Sequence, residues 1–382
     1  MKNKTNFLEK ILDNEVVEWK TLGEVVDIIR GVRITKNDLL SDGKYPVVSG
    51  GIGYMGYTNN YNRESNTITI AQYGTAGYVK WQTVKFWAND VCFCVKPNTA
   101  IILNRYLYFY LINKQQFLYD ISNRTATPYS IERDKILKLE IPIPPIEIQQ
   151  KIVAILDSFT ELTAELTAEL TARKMQYSYY REKLLTFDEN EVEWKSLGEI
   201  AIYSKERICY DKLNEKNYVG VDNLLQNREG KTISIHVPQS GNSTKFNEND
   251  ILIGNIRPYL KKIWFADCIG GTNGDVLVIH LTDKEIIPRY LYQILADDSF
   301  FEYNMQHAKG AKMPRGNKSM IMEYKIPVPS PEEQERIVSI LDKFDVLTNS
   351  ISEGLPKEIA LRKKQYEYYR DLLLTFPKPE LE

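Results

Sequence analysis

The sequence predicts an α+β fold in which two mixed α/β domains are joined by two long helices. The helices are expected to pack as an antiparallel coiled coil and to give the chain a pseudo-twofold repeat. Three observations predict this arrangement: a set of short motifs occurs twice in the same order, the copies enclose unlike inserts, and each copy ends in a long heptad pattern. A duplicated frame around unlike inserts indicates a molecule that recognises two different targets held at a fixed separation.

The duplicated motifs are nearly identical in sequence. VEWKTLGEV in the first copy becomes VEWKSLGEI in the second. The corresponding segments are 17–25 with 192–200, 141–144 with 326–329, 152–157 with 337–342, and 173–187 with 362–376.

Length and composition indicate a globular protein of two or more domains, since the 382 residues are 43% hydrophobic and 26% charged. The net charge is −2. Residues 17–140 carry 15 basic and 11 acidic residues, a balance of +4, and residues 191–325 carry 18 of each. A nucleic-acid surface would therefore have to be local or be completed by a partner. Four cysteines without a disulfide spacing, and no apolar run of about 20 residues, favour a cytoplasmic protein with no membrane contact.

Both copies carry the heptad pattern of a long helix after a proline-rich start. Apolar steps of three and four predict a buried seam on each helix. The first seam comprises Ile148, Ile152, Ile155, Phe159, Leu162, Leu166, Leu170, Tyr177, Tyr180, Leu184 and Phe187, and the second Ile337, Ile340, Phe344, Leu347, Ile351, Leu355, Ile359, Tyr366, Tyr369, Leu373 and Phe376. A dimerisation coiled coil is the alternative, but each seam has an internal partner of almost equal length.

These patterns divide the chain into four segments. The first domain spans residues 1–145, the first helix 146–188, the second domain 189–329, and the second helix 330–378. Gly354 and Pro356 predict a kink or break near 354–356, because both residues disfavour a helix interior. The inserts contain strand-like runs at 67–70, 91–95, 250–253 and 276–279, and helical stretches at 105–118 and 288–303.

No catalytic or metal-binding constellation is recognisable. Gly51–Gly56 matches a dinucleotide fingerprint, yet the residues after it form a poor helix, which favours a glycine-rich recognition loop. Cys92 and Cys94 are two apart in a strand, so packing on one face explains them better than a metal. The three histidines are scattered. These residues therefore indicate no metal site, no cofactor site and no catalytic constellation.

Polar-aromatic loops recur at similar places in both inserts and suit contacts with bases and phosphates. By residue type, the candidate DNA contacts in the first insert are Gln72, Tyr73, Thr75, Lys80, Arg124, Thr127 and Tyr129. In the second insert they are Asn255, Arg257, Tyr259, Lys261, Lys312, Arg315 and Lys318.

These motifs together resemble the specificity subunits of type I restriction–modification systems, over nearly the whole chain. The resemblance rests on WKTLGE at 19–24, YPVVSGG at 45–51, FWANDV at 86–91, IRPYL at 256–260, IPIPP at 141–145, EEQERIV at 332–338 and the Thr-Ala-Glu-Leu repeat at 163–170. It implies two target recognition domains that bind a split, asymmetric site on double-stranded DNA, with the helices setting the spacer. It also implies two modification (methyltransferase) subunits and restriction (translocase/endonuclease) subunits as partners. S-adenosylmethionine, ATP and magnesium would bind only to those subunits, which would carry out methyl transfer, ATP hydrolysis and DNA cleavage.

Two other functions remain open at this point. One is a non-enzymatic coiled-coil scaffold that presents two protein-binding or glycan-binding domains. The other is a nucleotide-dependent enzyme built on Gly51–Gly56. Retention of random-sequence DNA at low salt separates the first from a DNA-binding subunit, and adenine-nucleotide binding would support the second.

Overall fold

A computed structural model describes residues 8–13, 15–188, 190–350 and 353–378. The chain divides into two compact units. Unit 1 comprises residues 1–166 and 359–382, and unit 2 comprises residues 167–358. Each unit thus contains one insert together with parts of both long helices.

Unit 1 contains the first insert as a four-stranded antiparallel sheet, a smaller three-stranded sheet and short helices. Its elements are β1 Glu18–Thr21, α1 Leu22–Val25, β2 Val26–Arg30, β3 Tyr45–Val48, β4 Gly56–Thr58, β5 Thr67–Ala71, β6 Val79–Gln82, β7 Trp87–Ala88, β8 Cys92–Pro97, α2 Asn104–Asn113, α3 Gln115–Asp120, α4 Arg133–Leu137, β9 Glu140–Ile143 and the long helix α5 Ile146–Leu185, with a 3-10 turn at Lys36–Asp38. The strand orders are β2-β8-β5-β6 and β4-β3-β7. The apolar run of β8 is buried because this strand lies inside the larger sheet.

Unit 2 repeats the larger sheet with the same order of corresponding strands. Its elements are β10 Glu193–Ser196, α6 Leu197–Ile200, β11 Ala201–Tyr203, β12 Arg207–Cys209, β13 Tyr218–Val219, β14 Asn242–Phe246, β15 Ile251–Gly254, β16 Ile263–Phe265, β17 Gly270–Thr272, β18 Val276–Leu281, α7 Pro288–Leu295, α8 Asp298–Gln306, α9 Lys318–Met322, β19 Lys325–Val328, α10 Pro331–Asn349 and the start of α11 Gly354–Leu373, with 3-10 turns at Tyr210–Lys212 and Pro258–Leu260. The boundary between the units falls inside α5 and α11, so the first part of α5 and most of α11 belong to unit 1. The strand orders are β11-β18-β15-β16 and β12-β14-β17-β13. The second sheet has four strands here and three in unit 1, so the inserts differ mainly outside the larger sheet.

The duplicated motifs at the two ends of each insert pair with each other. β1 and β9 form an antiparallel pair in which Trp19 faces Pro142, and β10 and β19 form the same pair with Trp194 facing Pro327. A short helix follows the first strand of each pair. At the start of α1, the Glu24 carboxylate accepts hydrogen bonds from the backbone N–H and the hydroxyl of Thr21, both at 2.6 Å. These contacts explain why the Glu-Trp-Lys and Ile-Pro motifs occur together in both copies.

The long helices pack against each other and against the inserts. In unit 1, Ile152 and Leu156 of α5 share a buried core with Leu373 of α11, and the rings of Phe159 and Tyr369 stack at 5.3 Å. In unit 2, Tyr177 and Tyr180 of α5 stack on Phe344 of α10, at 5.6 and 5.7 Å. As α5 advances, its aromatic partner moves back along the chain, which is the order of an antiparallel pair.

The second long helix is interrupted. α10 ends at Asn349 and α11 begins at Gly354, just ahead of the kink or break expected near 354–356. The seam residue Ile351 lies outside the described residues. Gly354 has a φ of +71°, and a Cβ atom there would lie 2.3 Å from the Val346 carbonyl oxygen, so glycine is required. Pro356 lies in the first turn of α11, where proline is tolerated.

Each helical stretch predicted inside an insert is two helices. The stretch at 105–118 forms α2 and α3, and that at 288–303 forms α7 and α8. Asp297 separates α7 from α8 because its carboxylate accepts a hydrogen bond from Ser299 N at 3.1 Å and caps α8. Across the described ranges, every helix is too short or too polar to span a membrane.

Candidate nucleic-acid interface

In unit 1, three loops that are distant in sequence meet at the ends of β3 and β5. We call residues 49–54, 72–78 and 123–130 the first loop cluster. Gly50 O accepts hydrogen bonds from Thr75 N and Thr75 Oγ1, at 2.9 and 2.7 Å. Gly74 N donates to Tyr129 O at 3.0 Å. A Cβ atom on Gly50 would lie 2.2 Å from Tyr73 O, so the close approach of the first two loops depends on this glycine.

All seven candidates of the first insert lie in this cluster or beside it, but they differ in what they present. Tyr73 and Tyr129 are 39% and 41% exposed, and Thr127 is exposed. Gln72 is only 5% exposed, and its side-chain oxygen accepts no hydrogen bond from the described residues. Thr75 uses its hydroxyl to hold Gly50, as described above. The two tyrosines and Thr127 are therefore the surface groups, and Gln72 and Thr75 form the floor.

The two candidate cations, Arg124 in the first loop cluster and Lys80 beside it, stack on aromatic rings. Lys80 Nζ lies 4.4 Å from the ring centre of Tyr54 and donates to Ile52 O at 3.2 Å. The Arg124 guanidinium lies 4.8 Å from the ring of Tyr119 and 5.3 Å from that of Tyr129. Burial raises the pKa of Tyr119, so its phenol stays protonated beside the cation. Sequence reasoning did not name Tyr54, although the glycine-rich loop that carries it was the available signal.

Unit 2 has an equivalent arrangement made of two loops, residues 255–261 and 309–316, which we call the second loop cluster. Arg257 N donates to Pro314 O at 2.7 Å, and Gly316 N donates to Asn255 O at 3.1 Å. A Cβ atom on Gly316 would lie 2.7 Å from Asn255 Oδ1 and 2.4 Å from Asn304 Oδ1, so the loops meet where only glycine fits. This cluster follows β15, as the first follows β5.

The candidates of the second insert lie in the second loop cluster, except Lys318, which follows it at the start of α9. Tyr259 is 50% exposed, and Lys312 and Lys318 are exposed. Arg257 and Lys261 adopt left-handed backbone conformations, with φ of +54° and +50°, which bend the loop around Tyr259.

The other candidates of this cluster are ion-paired or buried. Lys261 Nζ donates to Asp298 at 2.7 Å, and Arg315 lies 3.4 Å from Asp275. Asn255 is 6% exposed, and its Oδ1 accepts no hydrogen bond from the described residues. Arg228 also binds Asp298, and nothing in the sequence signals this partner.

The described residues of the two clusters show neither a metal site nor the helix that a dinucleotide site needs. The described residues include no group of three or more His, Cys, Asp or Glu side chains placed to hold a metal. Gly51–Gly56 leads into strand β4 instead of a helix, so no helix N-terminus is available for a pyrophosphate. Cys92 and Cys94 are buried in a small apolar core with Val48, Phe86 and Ala88. The exposed tyrosines, amides and cations suit binding by stacking, hydrogen bonding and charge.

Comparison with known proteins agrees with this reading. The family model described as the type I restriction modification DNA specificity domain matches residues 14–173 and again 189–361. A type I restriction enzyme specificity subunit of Escherichia coli is 34% identical over 98% of this chain and 98% of its own length. A putative type I restriction enzyme specificity subunit of Haemophilus influenzae is 33% identical over 98% of this chain and 100% of its own length.

A solved structure supports the fold. The crystal structure of the S subunit of a type I restriction–modification system from M. genitalium aligns with a TM-score of 0.66, at 19% identity, over 96% of this chain and 98% of that one. The resemblance found in the motifs is confirmed, and the scaffold and nucleotide-enzyme alternatives are set aside. The chain belongs to the DNA specificity subunits of type I restriction–modification systems, the non-catalytic components of those enzymes.

Proposed function

We propose that this chain recognises a bipartite, asymmetric DNA site, with one half-site bound by each loop cluster. The observation that carries the proposal is the occurrence of the same arrangement twice: loops joined through glycines, exposed tyrosines and nearby cations follow corresponding strands β5 and β15. The residues within the arrangement differ between units, as expected if the two half-sites differ in sequence.

The cations would contact phosphates, and the tyrosines and amides would contact base edges. Lys312 and Lys318 make no ion pair with the described residues, so both are available to phosphates. The fourteen candidates named from residue type remain predictions. Gln72 and Asn255 could reach a base only if their loops move.

Catalysis would come from the partners. We propose that the chain directs modification and restriction subunits to the site, and that S-adenosylmethionine, ATP and magnesium bind those subunits only. The E. coli relative is named as part of a restriction enzyme, which supports this assembly. The same assembly would place the chain with DNA in the cytoplasm.

The test is to co-express the full chain with the modification subunit of its system and to map methylated bases across the host genome. The expected result is a single motif with two specified halves separated by an unspecified gap. Exchange of residues in one loop cluster should change only one half. A continuous motif, or one in which either cluster alters both halves, would contradict the proposal.

A further inference from the structure

Unit 2 contains a cavity of about 600 Å³ beside the end of α5. It is lined by Arg181 and Phe187 from α5 and the residues after it, by Trp194 and Lys325 from the paired strands β10 and β19, and by Ile294 from α7. No residue of the second loop cluster lines the cavity, although the wall residue Asp298 binds Lys261 of that cluster.

The duplicated sequence identifies the corresponding place in unit 1, where the chain itself fills the space. Trp19 Nε1 donates to the carbonyl oxygen of Pro377 at 3.3 Å. The Tyr110 hydroxyl donates to Glu140 O at 2.8 Å, and Lys378 forms an ion pair with the Glu140 side chain. An extended segment after α11 and one phenol ring therefore occupy this place in unit 1.

Three differences leave the place open in unit 2. Ile294 stands at the position that corresponds to Tyr110. The alignment is fixed by Tyr106 and Tyr290, each of which donates a hydrogen bond to the proline carbonyl oxygen of its Ile-Pro motif. After Phe187 the chain turns away, and Asp188 O accepts a hydrogen bond from Glu191 N at 3.0 Å. The Trp194 indole N–H is buried without an acceptor among the described residues. The hydrogen bond that Trp19 makes has no counterpart here.

The charges of the cavity indicate which kind of group it would take. Lys325 corresponds to Glu140, so the charge that faces Lys378 in unit 1 is reversed. Arg228 also lines the cavity, and burial and then the positive charge of Arg181 lower its pKa. Arg228 Nε is buried without a hydrogen-bond partner in the part of the chain that the structure describes. Arg181 and Arg228 are ion-paired with Asp297 and Asp298, so Lys325, which makes no ion pair with the described residues, is the cation available to an incoming carboxylate.

We propose that the cavity is the docking site for an extended acidic segment of a partner protein, which places a peptide carbonyl near Trp194 and a carboxylate near Lys325. The inference rests on the proposed function, which makes the modification subunit the partner to test. A protein segment fits better than DNA phosphate because the corresponding place in unit 1 holds a segment of polypeptide whose carbonyl oxygen accepts the Trp19 hydrogen bond.

Two variants of the full chain test the proposal. Ile294→Tyr fills the cavity with the ring that unit 1 carries at the same place, so the fold should accept it. Lys325→Glu reverses the charge at an exposed position. The equilibrium dissociation constant for the purified modification subunit is measured by isothermal titration calorimetry, and both variants should bind at least tenfold more weakly than the unmodified chain.

The controls come from the same chain. Lys284→Glu makes the same charge change at an exposed position outside the cavity, and Trp19→Phe changes the corresponding tryptophan in unit 1. Both should bind the modification subunit as the unmodified chain does. A thermal unfolding scan of each variant shows whether it is folded.

Several results would overturn the proposal. If Ile294→Tyr and Lys325→Glu bind the modification subunit with affinities within twofold of the unmodified chain, the modification subunit does not dock in the cavity. Weaker DNA binding with unchanged subunit binding would assign the cavity to DNA. Failure of the unmodified chain to bind the modification subunit at all would instead overturn the proposed function on which the inference rests.

Discussion

Arg181 is the most deeply buried cation in the contact between α5 and the second insert, and its removal should destabilise unit 2 selectively. Its side chain is 7% exposed and binds Asp297 at 3.2 Å. It also donates to Tyr177 OH at 2.9 Å, to Gln293 Oε1 at 2.7 Å and to the Gln293 carbonyl oxygen. Gln293 in turn donates to Asp342 at 2.7 Å. The charge is thus built into a network that spans two helices and the insert.

We expect Arg181→Met to cost about 3 kcal/mol, the lower end of the range of about 3–5 kcal/mol for breaking a buried ion pair. The lower end applies because the Asp297 side chain is 24% exposed and keeps its hydrogen bonds from Ser299. In a unit of this size, about 1 kcal/mol shifts the melting temperature by about 2–4 °C, so the expected fall is about 6–12 °C.

The matched control is Arg370→Met in unit 1. Arg370 corresponds to Arg181, but its partner Asp371 is 57% exposed, and its cost should be about 0–1 kcal/mol. The assay is differential scanning calorimetry of the full chain, because two units can unfold in separate transitions. Equal losses in the two variants, or a loss under about 1 kcal/mol for Arg181→Met, would refute the reasoning that burial decides the effect.

Three further changes have expected outcomes. Inserting one Thr-Ala-Glu-Leu unit after Leu166 lengthens α5 by about 6 Å, on the order of two base pairs at about 3.4 Å each, so methylome mapping should find a longer gap between unchanged half-sites. Arg257→Ala should weaken binding to the cognate duplex by about 1–3 kcal/mol if the side chain reads guanine, and unchanged affinity in a filter-binding titration would exclude it. Hydrogen bonds from the Ser196 hydroxyl and then its backbone N–H lower the pKa of Glu199 below 4.5, so its contribution to stability is present above that pH and lost as pH falls through the folded-state pKa. Urea unfolding at several pH values should therefore show the free energy of unfolding of Glu199→Gln approaching that of the unmodified chain at acid pH. A difference between the two free energies that does not change with pH would contradict this.

Features set by local patterns could be predicted from the sequence. The apolar runs became the central strands β5, β8, β15 and β18, because alternation and β-branched residues report burial in a sheet. The heptad seams were only partly correct: Ile148 and Ile152 are buried, most other seam residues of α5 are half-buried and Tyr180 is exposed, whereas Leu156 and Leu341 are buried outside the seams. These two leucines pack against the inserts. A heptad pattern indicates only the contact between two helices, so it does not predict burial against a third element.

Features that depend on distant contacts could not be predicted. The first loop cluster joins Gly50, Thr75 and Tyr129 through backbone hydrogen bonds that no local pattern encodes. The sequence also gave no reason to expect Gln72 or Asn255 to be buried, since amides beside a strand end are usually exposed. Asp297 interrupts a stretch that reads as one helix because capping by a side chain outweighs the apolar periodicity.

The strand pairs β1–β9 and β10–β19 have a consequence for how such chains can change. Each pair holds the first and last residues of an insert side by side, about 5 Å apart. Any compact module whose own ends lie that close could take the place of an insert without disturbing the helices beyond it. A gene could therefore acquire a new DNA preference by exchanging one cassette, with both junctions falling in sequence that every copy shares.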